Sequence, residues 1–252
     1  MTAAVDDAVL ASYVYGVVRS DLELPPDLTG LDDQPVTLVA SGDLAVLVSP
    51  VDENRTVARR ADLFAHSRVL DAVVMSGEVV PIRFGSILPG ASDPAAEVVG
   101  PRADHLKAVL DDLAGRTQLT LHARYDEQRV IAEIVAESPE IAGLRDHTRD
   151  APQDTMLPER IRLGELVMKG MEAKRDSDGP KIVAALLPHA AASNVRQSAG
   201  TDQLIDVAFL VDDKQREAFE KAAEAVAEEF ADRARIKLVG PTAPYDFVTD
   251  LE

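Results

Sequence analysis

The run Leu204-Ile205-Asp206-Val207-Ala208-Phe209-Leu210-Val211 places Ile205, Val207, Phe209 and Val211 on one side of an extended backbone, because side chains alternate from face to face along a strand. A face this regular has to lie on a core. From Asp212 to Asp232 the period changes to that of a helix: Asp212 or Asp213 can cap it, and Phe219, Ala222 or Ala223, Val226 and Phe230 form its inner stripe. Glu217, Glu220, Glu224, Glu228 and Glu229 fall on the outer face, a solvated and strongly acidic surface. Arg235 to Val239 is β-rich again and is halted by Gly240-Pro241. Upstream, Leu119 to Tyr125 alternates with Leu119, Leu121, Ala123 and Tyr125 on one face, and Glu127 to Glu137 is helical. Ser138-Pro139 restarts the chain, and Asp146 to Pro158 is a polar, proline-bearing connection. A long helix follows from Pro158 to Lys174 with Ile161, Leu166 or Val167, and Met171 inward. Asp176-Ser177-Asp178-Gly179 reads as a turn, the helix resumes over Pro180 to Leu187, and Ala192 to Gln197 makes a short strand. Strand, helix, strand, strand, helix, strand over residues 119 to 239 is the ferredoxin-like split arrangement, with extra helix between its first two strands.

The first half follows a different order. Residues 12 to 18 are a strand; Val36 to Ala40 and Leu44 to Ser49 form a hairpin around Ser41-Gly42-Asp43. Thr56 to Ser76 is helical, with Leu63, His66, Leu70 and Val73 or Val74 inward and Gly77 as its stop. Val79 to Phe84 alternates as a strand whose Pro81 assigns it to an edge or a bulge. Asp93-Pro94 opens a helical stretch, broken or kinked at Gly100-Pro101, whose later stripe is Leu106, Val109, Leu110 and Leu113. The chain therefore predicts an α+β protein of two domains: residues 1–116, and residues 117–252, a modified ferredoxin-like fold with extra helices and an extended C-terminal segment. A length of 252 residues suits that division.

Lys and Arg number 26 against 44 Asp and Glu, a formal charge of −18, and a field of that sign repels phosphate backbones and anionic headgroups. Neither nucleic acid nor a membrane is an expected partner. With no cysteine, no basic-apolar leader after Met1 and no apolar run near the roughly 20 residues of a membrane span, the chain is expected in the cytoplasm.

The common catalytic motifs do not occur in the sequence. There is no phosphate loop of either common kind and no HExxH pair, and His66, His105, His122, His147 and His189 are scattered one to an element. Neither a cofactor nor a metal is expected, and the chain reads as a non-enzyme. His66 lies on an apolar stripe and reads as a hydrogen-bonded boundary residue. Arg83, between Ile82 and Phe84, is the single charge most open to a partner. In the ending Pro244-Tyr245-Asp246-Phe247-Val248 an extended backbone places Tyr245 and Phe247 on the same side. They either pack back near Phe84 or form a docking edge. Arg83, Phe84, Tyr245 and Phe247 are thus the candidate protein-binding residues.

Three stretches, Val79-Val80-Pro81-Ile82-Arg83-Phe84-Gly85, Asp206 to Asp212 leading into the helix of Phe219, and Leu238-Val239-Gly240-Pro241 with Pro244-Tyr245-Asp246-Phe247-Val248, together resemble the gas vesicle protein GvpF/GvpL family. The family's ending carries a tryptophan and a serine where this chain has Thr242 and Asp246. The resemblance implies a non-enzymatic accessory or minor structural protein of gas vesicles, located with them in the cytoplasm. Its implied partners are the small, hydrophobic shell protein GvpA and other accessory gas vesicle proteins. The competing reading, from fold alone, is a small-molecule-binding or catalytic ferredoxin-like domain protein.

Overall fold

A computed structural model describes residues 10–152, 155–197 and 200–248. By contacts the chain divides into two units: one comprises the residues up to Gln118 together with those from Gly240 onward, the other Leu119 to Val239. The C-terminal segment thus belongs with the first unit, not with the second domain to which the sequence assigned it. The acidic start of the chain and the middle of the expected Asp146–Pro158 connection lie outside the described residues.

The first unit is built on β1 (Leu10–Arg19), β2 (Thr37–Ser41), β3 (Leu44–Asp52), α1 (Arg60–Val74), β4 (Val80–Pro81), β5 (Ile87–Leu88) and α2 (Ala103–Leu113). Its sheet runs β2-β3-β1-β4, with β5 also on β1. The Ser41-Gly42-Asp43 turn joins β2 and β3 in antiparallel register, Val39 opposite Val46, and Gly42 takes the left-handed φ of 62° that the turn needs. The strand expected over Val79 to Phe84 is only two residues long. Val80 and Pro81 pair with Val17 and Gly16, after which the backbone turns, Ser86 N–H reaching Arg83 O. Pro81, which has no N–H to give, does sit at the sheet edge. Helix α1 buries Asp62, His66, Val69, Leu70 and Val73; Leu63, expected inward, is 46% exposed. The inner stripe is rotated because Asp62 turns in to meet Arg55 at 2.6 Å. Asp93 caps the next stretch through Ala95 N–H at 3.0 Å, and that stretch passes irregularly through Gly100-Pro101 into α2.

The second unit comprises β6 (Arg116–Tyr125, entering from the first unit), α3 (Glu127–Glu137), α4 (Pro139–Arg149), α5 (Leu157–Leu186), β7 (Ala192–Val195), β8 (Gln203–Asp212), α6 (Arg216–Glu229) and β9 (Ala234–Thr242). The strands lie in the order β7-β8-β6-β9, with β6 and β8 central. Leu121, Ala123, Val207, Phe209 and Val211 face a core completed by Val130 and Ile134 of α3, Met171 and Ile182 of α5, and Phe219 and Val226 of α6. Asp126 and Ser138 cap α3 and α4 through their side chains.

Three expectations fail here. Residues 176–179 are not a turn: α5 is continuous from Leu157 to Leu186 with Pro180 inside it. Asp178 is 2% exposed and accepts from Tyr125 Oη at 2.8 Å and Arg233 Nη2 at 2.5 Å. That anchorage outweighs the poor helix propensity of an Asp-Ser-Asp-Gly run. Ile161 faces outward, 54% exposed. And β9 does not halt at Gly240-Pro241, whose peptide bond is cis, but runs to Thr242; Pro241 lacks an N–H to give, which an edge strand accommodates.

Candidate functional site

The densest set of polar and aromatic groups in the first unit centres on His66. Helix α1 carries the imidazole on its buried face because 66, 69, 70 and 73 share one side of the helix. Strand β1 brings Tyr13 and Tyr15 to it, two residues apart and so on one face, with ring centroids 4.8 Å from each other. Tyr15 stacks on the imidazole at 5.6 Å, and Phe84 meets it edge-on at 5.6 Å. Tyr15 Oη is in turn held by Ser49 Oγ at 2.8 Å and accepts from Leu31 N–H at 2.9 Å. Gly30 lies so close to that hydroxyl that a Cβ would collide with it.

Both imidazole nitrogens are engaged. Nδ1 lies 2.9 Å from Tyr13 Oη and Nε2 lies 2.5 Å from Tyr245 Oη. Gly85 N–H donates to Tyr13 Oη at 3.1 Å, and Tyr245 Oη donates to Ile82 O at 3.3 Å. One arrangement satisfies every group: Gly85 N–H to Tyr13, the Tyr13 hydroxyl to Nδ1, Nε2–H to Tyr245, and the Tyr245 hydroxyl to Ile82 O. It requires a neutral imidazole. Burial in turn pushes the His66 pKa down to about 4 and that of Tyr13 up to about 12; burial raises that of Tyr245 as well. A histidine with no carboxylate among these partners and both nitrogens committed is poorly placed to move a proton for a substrate.

What the network does is hold the chain's ending. Ala243 N–H bonds to the Asp71 carboxylate on α1, whose pKa burial raises. Asp246 and Gln118 bond reciprocally, at 2.9 Å through the side chains and 3.3 Å from Asp246 N–H. The ending is not extended, as the sequence suggested. Tyr245 N–H to Ala243 O at 2.9 Å and Phe247 N–H to Pro244 O at 3.0 Å fold it into turns, so the same-side argument for Tyr245 and Phe247 does not apply.

Of the four candidate residues, the structure brings Phe84 and Tyr245 together at His66. Tyr245 as a residue remains 43% exposed while its hydroxyl is engaged. Phe247 is half-buried, and Arg83 is exposed with no hydrogen bond or ion pair from its guanidinium among the described residues. Sequence reasoning singled out His66 but missed Tyr13, Tyr15, Asp71 and Gln118 as its neighbours and those of the ending. The Tyr13/Tyr15 spacing on one strand face was the available signal.

Beside α1 lies an open cleft of about 990 Å³ lined by Phe64, Arg55, Arg59, Arg68, Asp33 and Asp71 among others. Arg55 is tied down by Asp32 and Asp62, both at 2.6 Å. Among the described residues no three His, Asp or Glu gather as metal ligands, and no helix is long and apolar enough to cross a membrane.

A sequence model described as "Gas vesicle synthesis protein GvpL/GvpF" matches residues 11–249. The chain belongs to the GvpL/GvpF family. Among relatives, it is 32% identical to gas vesicle protein F of Streptomyces sp. (strain CB03234) over 243 residues, 95% of this chain and 100% of that one. It is 24% identical to gas vesicle protein F of Dolichospermum flosaquae, covering 93% and 96% of the two chains. Among solved structures, GvpF from Anabaena sp. PCC7120 superposes with a TM-score of 0.77 at 22% identity, over 96% of this chain and 99% of that one. GvpF from Microcystis aeruginosa gives 0.74 at 24%, over 94% and 98%. The mixed helix and sheet architecture is therefore that of the GvpF crystal structures, and GvpL/GvpF membership gives this chain a gas-vesicle-related role.

Proposed function

We propose that this protein is a non-enzymatic assembly factor or minor structural component of gas vesicles that binds the hydrophobic shell protein GvpA and other accessory gas vesicle proteins in the cytoplasm. The observation that carries the reading is the family match over residues 11–249. A shell subunit that aggregates when free needs a soluble escort offering limited apolar contact, and a charge of −18 suits such an escort. Apolar side chains left outward support it: Leu63, Phe64 and Met75 on or just beyond α1, and Leu157, Ile161 and Met168 on α5. Within the candidate set, Arg83 and the exposed part of Tyr245 can meet a partner, whereas Phe84 packs on His66 and Phe247 is half-buried. The purified protein is expected to retain GvpA in a pulldown, and deletion of its gene to leave cells without refractile vesicles. Normal vesicles after deletion, with no paralogue compensating, would sink the proposal. A metabolite that raises the melting temperature reproducibly would instead favour a small-molecule site in the cleft beside α1.

A further inference from the structure

Strand β9 ends the second unit's sheet, and its outer edge has no backbone hydrogen bond among the described residues. Such an edge is a template for another strand. Its two faces differ in chemistry. Ile236 and Leu238 pack against the core yet stay partly open, while Arg235 and Lys237, on the opposite face, are exposed and form no ion pair among the described residues. Arg124, on the same face of neighbouring β6, is balanced by Asp202 at 3.2 Å, so the uncompensated charge is that of Arg235 and Lys237. In a chain of charge −18 this is a local reversal of sign.

We infer that β9 is a docking edge for an extended partner segment that alternates apolar and acidic residues. Added as a fifth strand, such a segment would satisfy the edge N–H and C=O groups. Its apolar side chains would continue the row of Ile236 and Leu238, and its carboxylates would meet Arg235 and Lys237 on the other face. Backbone pairing and apolar contact supply the affinity; the charges select the segment, since exposed ion pairs alone contribute little. A nucleic acid strand would use the cations but not the apolar row. This inference does not rest on the shell protein being the partner.

The test uses the full-length protein and two short peptides, one alternating valine with glutamate and the other valine with lysine, followed by changes in the protein's backbone amide resonances. The glutamate peptide is expected to bind wild type, shifting the amides of Arg235 to Leu238, and the lysine peptide is not. Arg235→Glu with Lys237→Glu should reverse that preference, and Arg235→Gln with Lys237→Gln should weaken glutamate-peptide binding by about tenfold. A glutamate peptide N-methylated at alternate, ladder-bonding residues should fail to bind wild type, an arm that needs no variant of the protein. Equal binding of the N-methylated peptide, no discrimination between the two charges, shifts elsewhere than β9, or binding of an oligothymidylate in preference to either peptide would each overturn the inference.

Discussion

His66 keeps its neutral form because protonating Nδ1 would take away the acceptor of the Tyr13 hydroxyl and place a charge inside a buried aromatic setting. Its ordinary value is 6.5, and burial lowers it to about 4 in the folded protein. The folded value is the depressed one, so its stabilising effect is complete above pH 6.5 and is lost as the pH falls from there toward 4, while the unfolded chain takes up a proton that the native state excludes. Between pH 6.5 and 5 the loss from this residue should be about 2 kcal/mol. Denaturant titrations at several pH values should show it, and His66→Gln should flatten the dependence in that window. Tyr245→Phe keeps the ring but removes the hydroxyl shared by His66 and Ile82. It should cost about 1 to 3 kcal/mol by the same titration, because a buried donor is left unpaired.

Helix α5 crosses its own weak point by virtue of Asp178. Asp178→Ala would leave Arg233 and the Tyr125 hydroxyl without their buried acceptor, and a loss of about 3 to 5 kcal/mol is expected, read as a drop in denaturation midpoint. The α3–α5 contact is close enough that a Cβ on Gly170 would stand 2.7 Å from Ile134 Cγ2, so Gly170→Ala should cost about 1 to 3 kcal/mol in calorimetry. These elements also show what a sequence reveals. Strands β6 and β8 and helix α6 were legible because one face of each is apolar at an unambiguous period, and α3 because its cap and its restart at Ser138-Pro139 are local signals. Residues 176–179 were misread because local propensity favours a turn, while the groups that hold the helix, Tyr125 and Arg233, lie 53 and 55 residues away in sequence. The site was half legible for the same reason: His66 stood out on its stripe, but its link to Tyr245 spans 179 positions and no periodicity encodes it.

At the scale of the whole molecule, the chain leaves the first unit at Gln118 and returns to it at Gly240. A chain ending at Val239 would lose the bonds from Tyr245 to His66, from Ala243 to Asp71 and from Asp246 to Gln118. Hydrogen exchange on that truncation should show lost protection in α1 and β1, with the core amides of α3 and β8 protected as before. The same connectivity orders events during synthesis. All of the residues of the second unit leave the ribosome before Tyr245 does, so Tyr13, Tyr15 and Phe84 can gather on His66 early, while the bonds from Tyr245 to His66 and Ile82 form only afterwards. A chain cut short before Tyr245 therefore has a first unit that lacks these bonds. In limited proteolysis its first unit should be cut faster than that of a chain that carries Tyr245.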